Sequence, residues 1–186
     1  MTNFHFFNKP GQFKEENGVI TFVSAGETDF WQQTHYNFAR DNGHFIYWDH
    51  LPQNVKLEAT CQIDATHRYD QAGLMLRGNS SNWLKTSAEW LDSETCAIGS
   101  VNTKAGYSDW ASYESTPNRC YRFRIEIQGV NAYVSIQING RWSQLRILDI
   151  SHIRATGQFQ LGLYACSPKG PGTHVEFRDI QLLVSP

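Results

Sequence analysis

Between residues 55 and 64 the chain alternates: Val55, Leu57, Ala59, Cys61 and Ile63 interleave with Lys56, Glu58, Thr60, Gln62 and Asp64. Side chains on a strand point to opposite faces in turn, so this segment reads as a strand with one buried and one wet face. The period recurs where Tyr121, Phe123, Ile125 and Ile127 alternate with Arg122, Arg124, Glu126 and Gln128. Further strand signals fall on residues 18–23, 44–48, 71–77, 83–90, 95–101, 132–138, 158–166 and 175–184. Gln128-Gly129-Val130-Asn131 reads as a turn. Asn139-Gly140 reads as a type I′ hairpin, because both central residues of that turn need positive φ. Only residues 148–154 suit a helical turn, with Asp149 or Ser151 as cap. Roughly eleven to thirteen strands at ~8–12-residue spacing predict an all-β antiparallel sandwich or barrel. No repeat or linker divides the chain, and Ser167-Pro-Lys-Gly-Pro-Gly172 reads as a loop, so residues 1–186 are expected to form one domain.

The segment 67–90 says most about function. It reads as two strands joined by a turn at Gly78-Asn79-Ser80-Ser81-Asn82. By parity, Ala72, Leu74 and Leu76 share a face, as do Leu84, Thr86, Ala88 and Trp90. The opposite face carries Gln71, Gly73, Met75 and Arg77, then Trp83, Lys85, Ser87 and Glu89. An apolar face backing an amide, two cations, a carboxylate and an indole suits a sheet with one side in a core and the other in a polar groove.

Composition narrows the possibilities. Sixteen basic and eighteen acidic residues give a formal charge of −2, and no basic stripe or run argues for nucleic acid or an anionic membrane. No stretch approaches the roughly 18 apolar residues of a membrane span, and no export signal opens the chain. A cytoplasmic location is therefore expected. Cys61, Cys96, Cys120 and Cys166 are widely spaced and are expected to be reduced and mostly buried. No metal or other cofactor is expected. The nearest approach to a calcium site is Glu176 and Asp179 with Glu27, and there is no DxDxDG loop.

Six segments in order resemble a known family: Thr28-Asp29-Phe30-Trp31-Gln-Gln-Thr-His35-Tyr36, Arg40-Asp41-Asn42-Gly43-His44, Tyr69-Asp70-Gln71-Ala-Gly73-Leu-Met-Leu-Arg77, Trp83-Leu-Lys85 with Glu89, Tyr107-Ser108-Asp109-Trp110, and Gly162-Leu-Tyr164-Ala165-Cys-Ser167-Pro168. They look like the concanavalin A-like domains of unknown function that include the fungal regulator-of-enolase protein. That family is related to the C-terminal jelly-roll domain of β-xylosidases. The resemblance covers nearly the whole chain. It implies a concanavalin A-like jelly-roll sandwich of two antiparallel sheets, with a concave face that binds carbohydrate in many relatives. It implies no reaction.

The jelly-roll glucanases place catalytic carboxylates at alternating positions of one strand, as Glu-x-Asp-x-(x)-Glu. Here Glu89-Trp-Leu-Asp92-Ser-Glu94 puts Glu89 and Asp92 on opposite faces, so that motif is absent. Glu89 could still pair with Asp70 or Asp109 from elsewhere in the chain. Ser108-Asp109-Trp110 reads as a loop, either a sugar-edge contact or an Asx turn with a packed indole. His35 and His44 bracket a turn, and structural histidines are the plainer reading.

The leading expectation is non-catalytic binding of a carbohydrate or polyhydroxy ligand in the groove, serving regulation of sugar metabolism. The residues expected to contribute are Gln71, Arg77, Lys85, Glu89, Asp109 and His35 as polar contacts, and Trp31, Trp83, Trp110 and Tyr164 as platforms. A salt-bridged surface face is the structural alternative for Arg77, Lys85 and Glu89. On the binding reading, Arg77→Ala with Glu89→Ala abolishes binding and leaves the melting temperature nearly unchanged. The alternatives are a protein-interaction regulator of a metabolic enzyme, and a glycoside hydrolase-like enzyme with carboxylates converging in the cleft.

Overall fold

The computed structural model describes residues 3–35 and 37–184; Tyr36, in the Thr34-His35-Tyr36 segment, lies outside the described residues. Sixteen strands and one short helix follow one another among them. They are β1 (His5–Phe7), β2 (Gly11–Glu16), β3 (Val19–Val23), β4 (Phe30–Gln32), β5 (Ala39–Asp41), β6 (His44–Trp48), β7 (Val55–Ile63), β8 (Gln71–Asn79), β9 (Asn82–Trp90), β10 (Cys96–Lys104), β11 (Tyr107–Ser115), β12 (Cys120–Gln128), β13 (Asn131–Ile138), β14 (Arg141–Asp149), α1 (Ser151–Arg154), β15 (Gln160–Cys166) and β16 (His174–Val184). The front sheet has seven strands in the order β1-β6-β15-β8-β9-β10-β11. The back sheet also has seven, β14-β13-β12-β7-β16-β3-β2, and β4 pairs only with β5. The pairings are antiparallel, as a jelly-roll sandwich requires.

The core lies between the two sheets and follows the alternation. Ala72, Leu74, Leu76, Leu84 and Ala88 enter it from the front, Leu57, Cys61, Phe123, Ile125 and Phe177 from the back. Each buried Leu, Ile or Phe contributes roughly 1.5–3 kcal/mol relative to exposure. The Asn139-Gly140 turn has φ of 49° and 76°, both positive as type I′ demands. Asn17-Gly18, at 52° and 77°, joins β2 to β3 in the same way. The 78–82 turn tightens to a two-residue loop, because Asn79 already pairs with Asn82.

Several elements depart from the sequence pattern. β1 and β11 are the two edges of the front sheet, β14 and β2 the two edges of the back sheet, and β4 and β5 stand apart from both. An edge strand has one neighbour and little burial, so its residues need not alternate. β11, for example, buries only Ser108. Ser108-Asp109-Trp110 is therefore strand and not loop. At α1 neither expected residue caps through its side chain: Ile150 occupies the N-cap, while the Asp149 carboxylate accepts the Ser151 N–H at 3.1 Å and its hydroxyl at 2.8 Å. All four cysteines are free thiols, with Cys120 half-buried and the others buried. Burial pushes the Cys61 thiol up to about 12.

The β4–β5 hairpin folds across the outer face of the front sheet. Phe30 is fully buried there against Trp83 and Tyr164, in a second apolar cluster with Phe45, Met75, Val101 and Cys166. The Gln32 N–H donates to the Ser108 hydroxyl at 2.9 Å, tacking the hairpin to β11. Gly43 leaves room for this packing, since a Cβ there would sit 2.4 Å from Phe30 Cε2 and 2.5 Å from Cys166 Sγ.

Candidate functional site

The part of the outer face that the hairpin leaves open is a cavity of about 790 Å³. Strand register builds its floor in three rows. Gln71 lies opposite Glu89, and Glu89 opposite Ala97. The next row is Gly73, Ser87, Gly99 and Ser112. The third is Met75, Lys85, Val101 and Trp110. The small middle row projects almost nothing, so Gln71 and Glu89 face Lys85 and Trp110 across it. Gly73 is also required for strand spacing: a Cβ there would lie 1.9 Å from the Thr86 carbonyl oxygen.

The walls are loops held by one hydrogen-bonded chain. Asp70 is fully buried, and its Oδ2 accepts the N–H groups of Thr66 at 3.1 Å and His67 at 2.9 Å. Its Oδ1 accepts the Ser167 hydroxyl. The Ser167 N–H donates to Thr28 Oγ1 at 3.0 Å, and that hydroxyl donates to the Ala25 carbonyl at 2.7 Å. The Ala25 N–H then donates to His44 Nε2 at 2.8 Å. His44 Nδ1 must therefore carry the proton, which it donates to the Asn8 carbonyl at 2.7 Å. Burial keeps this imidazole neutral by lowering its pKa. The chain ties the 25–29, 66–70 and 167–169 segments together, so the rim is fixed before any ligand arrives. Two rim residues, Glu27 and Tyr69, have φ of 58° and 71°, a conformation costly for a bulky side chain.

The polar centre is Lys85, whose side chain is 2% exposed. Its Nζ donates to Gln71 Oε1 at 2.7 Å and lies 3.5 Å from Asp29 Oδ1. The Tyr164 hydroxyl donates to the same Gln71 oxygen at 3.1 Å, and Gln71 Nε2 donates to the Tyr69 carbonyl at 3.2 Å. The amide orientation is thus set on both sides. Nζ is also 5.6 Å from the Tyr164 ring centroid and 6.0 Å from that of Trp83, a cation held partly by aromatic faces. Glu89 stands alongside. Burial pushes its carboxyl up to about 7, and the charge of Asp29 adds to this, while Lys85 and Ser87 oppose it.

Five of the ten expected residues line the cavity: Trp31, Gln71, Lys85, Glu89 and Trp110. The other five lie elsewhere. Arg77 is 4% exposed and grips Asp41 through two hydrogen bonds of 2.7 Å, its guanidinium 4.5 Å from the Phe7 ring centroid. Trp83 and Tyr164 are fully buried beneath the floor and offer no ring face to a ligand. Asp109 points to the rim of the sandwich, where it pairs with Arg146 at 2.6 Å. His35 is exposed in the β4–β5 turn, outside the cavity lining. The structure adds Asp29, Phe38, Arg40, Arg68 and Tyr69, which approach from loops and the hairpin. Asp29 and Glu27, and neither Asp70 nor Asp109, are the carboxylates that share the cavity with Glu89. Parity cannot find these residues, because they reach the site over the sheet and not along it. Asp29 and Tyr69 do fall within the segments that carry the family resemblance.

Among the described residues no cluster of three or more His, Cys, Asp or Glu is placed to hold a metal ion. Glu176 pairs with Arg178 at 3.0 Å and Asp179 lies 3.7 Å from Arg122, while Glu27 lines the cavity. Among those residues no helix is long and apolar enough to cross a membrane.

Comparison with known proteins agrees with this architecture. The chain is 28% identical over 180 residues to the Saccharomyces cerevisiae protein named Regulation of enolase protein 1, covering 95% of this chain and 87% of that one. A crystal structure of a functionally unknown protein from Saccharomyces cerevisiae superposes with a TM-score of 0.89 at 28% identity, over 98% of this chain and 97% of that one. The GH43 protein BlXynB from Bacillus licheniformis matches with a TM-score of 0.77 at 13% identity, over 98% of this chain and 37% of that one, a likeness of fold. The family model described as protein of unknown function (DUF1349) matches residues 6–184, and the chain belongs to that family.

Proposed function

We propose that the cavity binds a carbohydrate or related polyhydroxy ligand without turning it over, and that this binding serves a regulatory role. The observation that carries the reading is the meeting of Gln71, Lys85, Asp29 and Glu89 with the rings of Trp31 and Trp110 in one pre-formed cavity. Sugar hydroxyls both donate and accept, so they match an amide and a mixed set of charged groups, while the apolar faces of sugar rings lie on aromatic side chains. Regulation is suggested by the name of the yeast relative, and a sugar ligand is consistent with the glycoside hydrolases that share the fold. A thermal-shift screen against mono- and oligosaccharides, sugar acids and sugar phosphates tests it. A ligand present well above its Kd stabilises by a few kcal/mol. Turnover of a hit would instead assign Glu89 and Asp29 to hydrolysis.

A second reading is direct regulation of a metabolic enzyme through a protein interface. Edge strand β11 favours it, because Tyr107, Trp110 and Tyr113 stand 66%, 40% and 42% exposed there. An unpaired edge with aromatic side chains suits addition of a partner strand. Calorimetric titration with a purified enolase checks this reading: saturable heat supports it and its absence removes it.

A further inference from the structure

The charge of the cavity differs from that of the chain. Its lining holds four basic residues, Arg40, Arg68, Lys85 and Lys169, against three acidic ones, Glu27, Asp29 and Glu89. The whole chain has a formal charge of −2. Lys85 is engaged with Asp29 and Gln71 at the floor. The other three cations stand at the rim, and among the described residues none forms an ion pair with a carboxylate. Arg40 donates to the Glu27 carbonyl at 2.7 Å and lies 5.3 Å from the Phe38 ring centroid. The Arg68 guanidinium lies 5.1 Å from the Tyr69 ring centroid. A guanidinium held at a ring face by cation–π attraction keeps N–H donors available to a carboxylate or phosphate. Lys169 is exposed on the adjoining loop, which Ser167 ties to Asp70.

We propose that the ligand is an acidic polyhydroxy compound, a sugar acid or a sugar phosphate, whose ring rests on the Gln71–Lys85–Trp110 floor and whose anionic group meets Arg68, Arg40 and Lys169 at the rim. This deepens the function proposed above and rests on it. One group of opposite charge selects between otherwise equal sugars, and that selection weakens as salt screens the rim.

The test is calorimetric titration of the full chain with D-glucose, D-glucuronate and D-glucose 6-phosphate, the galactose series, and acetate and inorganic phosphate, at low and high salt. At least one acidic sugar is expected to bind about tenfold more tightly than its neutral parent, with the advantage shrinking as salt rises. Arg68→Gln with Lys169→Gln removes the advantage and leaves affinity for the neutral sugar unchanged. The uronate and phosphate arms show which acid is preferred. Neutral sugars binding as tightly as acidic ones overturn this inference while the sugar-binding reading stands. Acetate or inorganic phosphate binding as tightly as the sugars overturns both, as does silence from every probe.

Discussion

At the scale of single residues, two side chains that the sequence places together take different roles. Glu89 is a buried acid whose carboxyl is held near 7 in the folded state against an ordinary 4.5. The unfolded chain gives up that proton at lower pH, so the native state binds more protons between the two values. Stability therefore falls as pH rises from about 4.5 to about 7, and levels off above. Glu89→Gln removes this cost, worth up to about 3 kcal/mol at pH 8 and little at pH 5. Urea denaturation at both pH values reads it; an equal difference at the two would mean Glu89 is ionised throughout. Arg77, by contrast, is tied to Asp41 and sandwiched by Phe7 and Phe30. Arg77→Ala strands a partly buried carboxylate and is expected to cost about 3 kcal/mol. That reverses the expectation of an unchanged melting temperature for the Arg77→Ala, Glu89→Ala pair. A loss of a few tenths in urea denaturation would restore Arg77 as a free groove residue.

At the scale of elements, legibility follows burial. β7, β8, β9 and β12 have neighbours on both sides and a core beneath them; β7 and β12 alternate between buried and wetter positions, while β8 and β9 are buried on both faces and parity separates their apolar face from their polar one. The four edge strands obey no such pattern, although Asn17-Gly18 carries the same turn signal as Asn139-Gly140 and marks β2 and β3 as a hairpin. The same limit splits the site. Gln71, Lys85 and Glu89 sit on central strands and are legible. The β4–β5 hairpin is legible only as a residue string, yet it decides which half of the face is covered. Its anchor is Phe30, 0% exposed. Phe30→Ala is expected to cost about 3–5 kcal/mol and to loosen Trp31, Phe38 and Arg40 as a group. Loss of ligand affinity together with that destabilisation supports the hairpin as a wall; full affinity in the variant would show that the sheet alone makes the site.

For the whole molecule, the sandwich is a rigid platform and the function belongs to what crosses one face of it. The fold is shared with a GH43 protein that matches at only 13% identity, so it does not specify a ligand by itself. The specific content is the cavity. Trp110 provides the cleanest access to it, since its ring lines the cavity yet is 40% exposed and stands on an edge strand. Trp110→Ala is expected to cost about 1–2 kcal/mol, well below the Phe30→Ala loss. The most direct measurement is the thermal-shift panel of sugars, sugar acids and sugar phosphates run on the wild type and on Trp110→Ala side by side. At least one ligand is expected to raise the wild-type melting temperature, with that shift abolished in a Trp110→Ala variant that still unfolds cooperatively. A wild type that responds to nothing, or a shift that survives in Trp110→Ala, would contradict the proposed function.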